Sequence, residues 1–406
     1  MKKKNKGDAM KKSLILFSTF CLALSCSYSD EIRQDVPGDA EEYTTVVMTV
    51  PQSGFEDSEV ETRNEAIFGN EIDFVWSVTD SVGIFPDAGS QIYFSMASGA
   101  GQKSAAFDGG GWALKKGSSY FSYFPFLPDS YIDKTAIPLT YVGQSQKGNA
   151  QENRADLGRY GYMVAKGVAD DATGSLYFNY KRLGCLFRVK IPVQAGTYES
   201  LTLRTDDDVL IQSGTYNAVE LDLSVDNPVY GDSITLDLED VTFSQRGTLV
   251  SFFMLAPFAY ENRQVTMELT DSDGNVTVSS FRGKDYEVGM TYGNAPHISV
   301  SPSVVSAGVS SESFTFDIAV SKATYAYTVT SDVPWLTLGS SPASGDASVT
   351  VTVAENTSGR RVGHIEVAET VSGVLLKNVI TVTQSGIGDD VDSGENEGVR
   401  FEDWNL

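Results

Sequence analysis

Several groups of residues have the types and rough spacing that chemistry requires, and each lacks one part of the pattern. Gly99, Gly101, Lys103 and Ser104 are ordered as in a phosphate-binding loop, where backbone amides cradle the phosphates and a lysine reaches them. Gln102 stands where a glycine must precede the lysine, and Gly109, Gly110 and Gly111 follow in place of a helix. Asp271, Asp273 and Asn275 begin like a calcium loop but have no distal glutamate at the required spacing, so a hairpin turn is expected there. His297 and His364 are the only histidines, and neither an HExxH nor a GxSxG motif occurs, which leaves zinc hydrolysis and nucleophilic triads without support. The 54 acidic residues offer many accidental carboxylate pairs, and no pair is singled out for glycoside cleavage. No catalytic residue, no metal and no cofactor is expected. Trp335 is the candidate glycan-binding residue, because an exposed indole can stack on a pyranose face. The alternative for a lone tryptophan in a small sandwich is a place in the core, the place expected also for Trp76 and Trp112. Trp404 sits in an acidic tail that offers it no core.

The N-terminus says where these residues are delivered. Lys2, Lys3, Lys4, Lys6, Lys11 and Lys12 precede an apolar stretch over residues 13–25, too short to span a bilayer stably, which is the pattern of a secretory signal. Ala23, Leu24 and Ser25 before Cys26 resemble the lipobox of bacterial lipoproteins, which implies cleavage before Cys26 and acylation of its thiol. Ser27, Tyr28, Ser29, Asp30 and Glu31 resemble the short acidic surface-export signal of Bacteroidetes-type lipoproteins, which implies the outer face of the outer membrane. No second hydrophobic run is long enough to cross a bilayer, so attachment rests on the lipid.

Composition and charge agree with an exported β-rich chain. Glycine supplies 37 residues, tyrosine 19 and phenylalanine 21, and no long stretch shows the apolar period of a helix. The net charge of −24 becomes more negative once the six leader lysines leave, which disfavours nucleic acid as a partner. With Cys21 removed and Cys26 acylated, Cys185 has no disulfide partner, and its place between Leu183 and Phe187 on one strand face suits a small buried hydrophobe.

The chain divides by composition. Residues 1–25 are the leader, 26–42 a polar tether, 43–165 and 166–296 two β-rich units separated by turn residues at 166–174, 297–386 an alternating block, and 387–406 an acidic tail. Alternation predicts strands near 44–50, 73–78, 91–96 and 120–124 in the first unit. It predicts others near 176–192, 200–204, 233–238, 249–256 and 265–280 in the second, the last folding back at 271–275. Short strands with turn signals and no helices give an all-β class of antiparallel sandwiches.

Phe74 and Trp76, Asp80 to Phe85, Ala106 to Gly109, and the run Tyr120, Phe121, Ser122, Tyr123, Phe124, Pro125 resemble the N-terminal domain of the fimbrillin and Mfa-like family. The stretch from Ser175 to Val189 is similar to the strand pair that opens that family's second domain, and Gly283 to Val288 to its closing strand. The resemblance implies two transthyretin-like β-sandwiches over residues 43–296 and a role in pili or surface adhesion. It also implies that loss of the first strand, by cutting at an arginine such as Arg63, opens a groove for a neighbouring subunit's strand. Arg63 otherwise reads as an ordinary exposed loop residue.

In the third block Phe314, Phe316, Ile318 and Val320 alternate with polar residues, as do Val349, Val351 and Val353. Seven such strands in 90 residues have the size of an immunoglobulin-like sandwich. Pro302, the Val333, Pro334, Trp335 and Leu336 run, Asn356, Arg360 to Ile365, and Val382 to Gly386 resemble the BACON module, which implies an association with carbohydrate. A further domain after residue 296 departs from a shaft subunit, which ends in its donor strand. The sequence therefore points to a non-catalytic surface lipoprotein, a fimbrial tip, accessory or anchoring subunit acting in adhesion. A surface glycan-binding lipoprotein of a polysaccharide uptake system is the alternative. The implied partners are the outer membrane through the lipid, other fimbrial subunits by strand addition, and glycans.

Overall fold

The computed structural model describes residues 42–43, 45–49, 75–128, 132–149, 155–170, 175–221 and 223–387. Cys26, Arg63 and Trp404 lie outside them. Among the described residues the chain is all β, apart from one 3-10 turn at Ala155–Tyr160.

The first body is a ring of strands. Thr45–Thr49, Ser104–Asp108, Ile92–Ser98, Ser81–Pro86, Tyr120–Phe124 and Met163–Asp170 pair in that order, and Ser175–Asn179 closes the circuit by pairing with both Met163–Asp170 and Thr45–Thr49. All these pairs are antiparallel except Ser175–Asn179 with Thr45–Thr49. Val46, Met48, Phe94, Phe107 and Phe178 alternate into a common core, as the period of two requires. Residues 75–78, the described part of the strand expected at 73–78, are not strand and lead into a turn, where Asp80 Oδ2 accepts from the Ser77 amide at 2.7 Å. Trp76 nevertheless fills the core from this loop, edge-on to Phe107, Phe124 and Tyr180.

Pairing crosses the turn-rich stretch at 166–174. Ile137–Thr140 and Gln144–Lys147, which precede it, pair with Leu210–Tyr216 and Ser233–Phe243 of the second body, while Ser175–Asn179, which follows it, belongs to the first ring. The second body's core gathers Phe187, Leu201, Phe253, Met267 and Tyr286 under strands Cys185–Val193, Gly196–Arg204, Gly247–Leu255 and Gln264–Asp271. The fold-back at 271–275 is a turn as expected: Asp271 Oδ1 accepts from the amides of Asp273 and Asn275.

The second and third bodies share one sheet of nine strands. Val276–Arg282 of the second pairs antiparallel with Ile298–Ser301 of the third, at Val278 with Val300 and Ser279 with Ser299, and Ile298–Ser301 pairs onward with Glu312–Val320. At the seam the Ser279 hydroxyl donates to the Ser299 hydroxyl at 2.8 Å, buried. The Gln264 side chain brackets the Lys377 backbone, donating to its carbonyl at 3.0 Å and accepting from its amide at 2.7 Å. Arg246 donates to the Val320 carbonyl at 3.2 Å and pairs with Asp346, whose carboxylate accepts from the Val320 amide at 2.8 Å. The third body is a sandwich of two sheets around Phe316, Ile318, Val351, Ile365 and Val382, its second sheet made of Val304–Ala307, Val374–Gln384, Arg361–Val371 and Thr328–Ser331.

Gln264→Ala removes both of its hydrogen bonds to Lys377 in a half-buried seam, taking the partner from the Lys377 amide and leaving the carbonyl only the Ser280 hydroxyl at 3.2 Å. We expect a loss of about 1–3 kcal/mol in denaturant-unfolding stability. Amide exchange should rise at Lys377 and stay unchanged at Tyr120–Phe124 of the first ring.

Candidate functional site

The N-terminal strand is the first element that bears on function. Its sequence, Thr45, Val46, Val47, Met48, Thr49, is β-branched at four of five positions, which favours an extended chain. Val46 and Met48 are buried, set opposite Phe107 and Ala105 on one side and Leu176 and Phe178 on the other. Trp76 Nε1 donates to the Met48 carbonyl at 3.2 Å, a further tie from the core to this strand.

Trp335 is half-buried against the third body's core. The Arg361 guanidinium lies 4.4 Å from its ring centroid, within cation–π range. Arg361 is itself fixed, donating to Gln384 Oε1 at 2.8 Å and to the Ala354 carbonyl at 2.7 Å. Gly363 lies under the ring edge: a Cβ there would meet Trp335 Cζ2 at 2.8 Å and Val333 Cγ2 at 2.5 Å. A sugar stacking on the covered face would have to displace Arg361.

Trp112 is not in a core. It is 65% exposed, and with the half-exposed Tyr93 it borders a cleft of about 530 Å³ floored by Gly89, Ser90 and Gly109. The signal was local: Gly110 and Gly111 adopt positive φ of 65° and 99° just before it, so the residue sits on a turn and not on an alternating strand.

The residues with chemical potential elsewhere are accounted for. Cys185 is wholly buried and burial pushes its thiol up to about 12, the opposite of what a nucleophile requires. His364 Nδ1 pairs with Asp332 at 2.8 Å, and the His364 amide holds that carboxyl below the usual carboxylate range. His297 Nδ1 lies 2.9 Å from Glu369 Oε2 and stacks on Tyr325. Among the described residues no three metal-ligating side chains converge.

The third body is where the family comparison falls. Residues 325–385 match the BACON family. Its model carries the description "Putative binding domain, N-terminal". The BACON segment thus begins at Tyr325, beside the His297 stack, and ends at Ser385, just past the last strand. No curated protein matches the chain. Among solved structures, the chain is similar to a "putative cell adhesion protein" from Bacteroides ovatus at 12% identity and a TM-score of 0.40, covering 62% of this chain and 91% of that one. It is similar also to the tip fimbrial protein Mfa3 of Porphyromonas gingivalis, at 10% identity and a TM-score of 0.27 over 58% of this chain and 81% of that one. The fimbrial anchor protein Mfa2 of the same organism matches at 11% identity and a TM-score of 0.23, over 57% and 79%.

In the chain without residues 1–26 the single thiol is Cys185. Burial keeps that thiol protonated at pH 8 and out of contact with solvent. Iodoacetamide should leave the native protein unlabelled by intact mass, and should add one label per chain in concentrated guanidinium.

Proposed function

We propose that this chain is a non-catalytic cell-surface lipoprotein, anchored through acylated Cys26 in the outer membrane and acting in adhesion as a fimbrial tip, accessory or anchoring subunit. The observation that carries the reading is where the two ends of the described chain lie. The N-terminal strand Thr45–Thr49 is bonded on both edges within its own ring. The last strand, Val374–Gln384, is an inner member of its own sheet, between Val304–Ala307 and Arg361–Val371, so it is not a spare strand to donate. A chain whose described first long strand and last strand are both paired within their own sheets is suited to the end of an assembly or its base, where it receives or presents. The match of residues 325–385 to a binding-domain model supports a presenting role for the third body.

The alternative is a surface glycan-binding lipoprotein that hands polysaccharide to an uptake system. The exposed Trp112 and Tyr93 pair favours it, since two aromatic faces beside a cleft are what a pyranose stacks on.

The N-terminal residue of the protein, read by mass spectrometry separately from sheared surface filaments and from the outer-membrane pellet, separates these roles. The proposed role predicts acylated Cys26 in both fractions. Asn64 as the N-terminus in filaments would make Arg63 a processing site and the chain a polymerising subunit. Acylated Cys26 confined to the membrane would favour the glycan-binding lipoprotein.

A further inference from the structure

Strand Val276–Arg282 ends in a cation, and a second follows two residues later at Lys284. Both line a cavity at the seam between the second and third bodies. The backbone that carries them is fixed against the turn at 260–263. The Gly283 amide donates to the Arg263 carbonyl at 2.7 Å, the Tyr260 amide donates to the Lys284 carbonyl at 3.1 Å, and a Cβ on Gly283 would meet the Tyr260 carbonyl oxygen at 2.5 Å.

Neither cation has a counter-ion among the described residues. Arg282 Nε donates to Asn262 Oδ1 at 2.7 Å, a neutral partner, and the half-buried Lys284 ammonium makes no hydrogen bond or ion pair there. In a chain with 54 acidic residues against 30 basic ones, two adjacent cations without an acid are out of keeping with the composition. The acidic residues beside them are turned elsewhere. Asp285 Oδ1 accepts from the amides of Tyr260 and Glu261 at 3.0 and 3.2 Å. Glu369 Oε2 lies 2.9 Å from His297 Nδ1, and its Oε1 is closed off from solvent, so Glu369 offers the cavity no free oxygen. Burial, with the charge of Arg282 as a second cause, lowers the Lys284 pKa from its ordinary value. Like charges drawn partly out of water repel each other, and a negative charge set between them relieves the repulsion.

The cavity measures about 100 Å³. That is several times the roughly 10–15 Å³ that one water needs, and below the ~300–1,000 Å³ of clefts that take drug-sized ligands. It admits one functional group on a short stem. Phe281, Val371 and Leu376 give it an apolar side beside the two cations. A cationic ligand would meet Arg282 and Lys284, and phosphate or sulfate would leave the apolar side bare. A carboxylate on an aliphatic stem meets both parts of the lining, its two oxygens facing two charged donors.

We propose that this seam cavity binds a carboxylate carrying a short apolar substituent, with Arg282 and Lys284 donating to its oxygens and Phe281, Val371 and Leu376 around the substituent. That chemistry belongs equally to a free aliphatic acid and to the last residue of a peptide with an apolar side chain. The assignment rests on the cavity and its two cations, and is independent of whether the chain belongs to a fimbrium.

The test is ligand-observed saturation-transfer NMR on the full mature chain. The probes are butyrate and an acetylated tripeptide ending in leucine with a free carboxylate, the amides of both, and inorganic phosphate as a competitor. We expect at least one carboxylate to bind and its amide to bind about tenfold more weakly or not at all. Lys284→Gln should weaken the carboxylate about tenfold or more, as loss of a charge-assisted hydrogen bond implies. It should do so without lowering the melting temperature, since the ammonium has no protein partner to lose. Arg282→Gln, made separately, should weaken the same probe. Butyrate as tight as the peptide would identify the occupant as a free acid, and a tighter peptide would identify it as a chain terminus. Binding by neither carboxylate would overturn the proposal. So would amides that bind as well as the acids, phosphate that displaces both more readily than they displace each other, or carboxylate binding that survives both variants.

Discussion

The structure depends on backbone hydrogen bonding along the two edges of Thr45–Thr49. A β-strand exposes unpaired amides and carbonyls along each edge, and an open edge is a template for another chain. In the first body no strand of the ring has an open edge, because Thr45–Thr49 stands between Ser104–Asp108 and Ser175–Asn179. Val46 and Met48 complete the core at the same time, and Trp76 is anchored on the Met48 carbonyl. Packing and pairing therefore fail together if this strand leaves.

The second constraint is the seam. Because Val276–Arg282 and Ile298–Ser301 are neighbours in one sheet, the third body is joined to the second by backbone pairing and not by a bare linker. Gln264 and Arg246 reinforce it with side-chain bonds to backbone groups of the third body. The same geometry leaves a cavity where the inward face of Arg361–Val371 runs past the end of its own core. Glu369 stands there, with its Oε2 met by His297 Nδ1 at 2.9 Å.

Much of this was legible in local pattern. The stretches expected as strands in the third block all carry strand, although the first of them, 298–304, is divided at Pro302 into Ile298–Ser301 and Val304–Ala307 of different sheets, and the Asp271 turn follows from Gly274 and the Asx geometry of Asp271. Trp76 was readable as core, although from a loop and not a strand. Non-local pairing was not readable. Nothing in Thr45–Thr49 says that its partners are 60 and 130 residues away, roughly, nor that Ile137–Thr140 joins the second body. Trp112 was misplaced because residue type was weighed above its glycine-rich setting. Glu369 gives no sign in the sequence of facing the core, because a carboxylate there breaks the inward alternation of Gly363, Ile365 and Val367. The Arg361 contact that covers Trp335 joins loop to strand and has no sequence signature.

The central claim is that the N-terminal strand closes the first ring within its own chain. Amide hydrogen exchange of the intact mature protein, read at Val46–Thr49 by mass spectrometry, tests it most directly. The account predicts protection equal to that of Tyr120–Phe124, with both released only by global unfolding. Exchange at Val46–Thr49 as fast as at the exposed turn around Gly110 would contradict it, and would mean that the groove stands open to a strand from another chain.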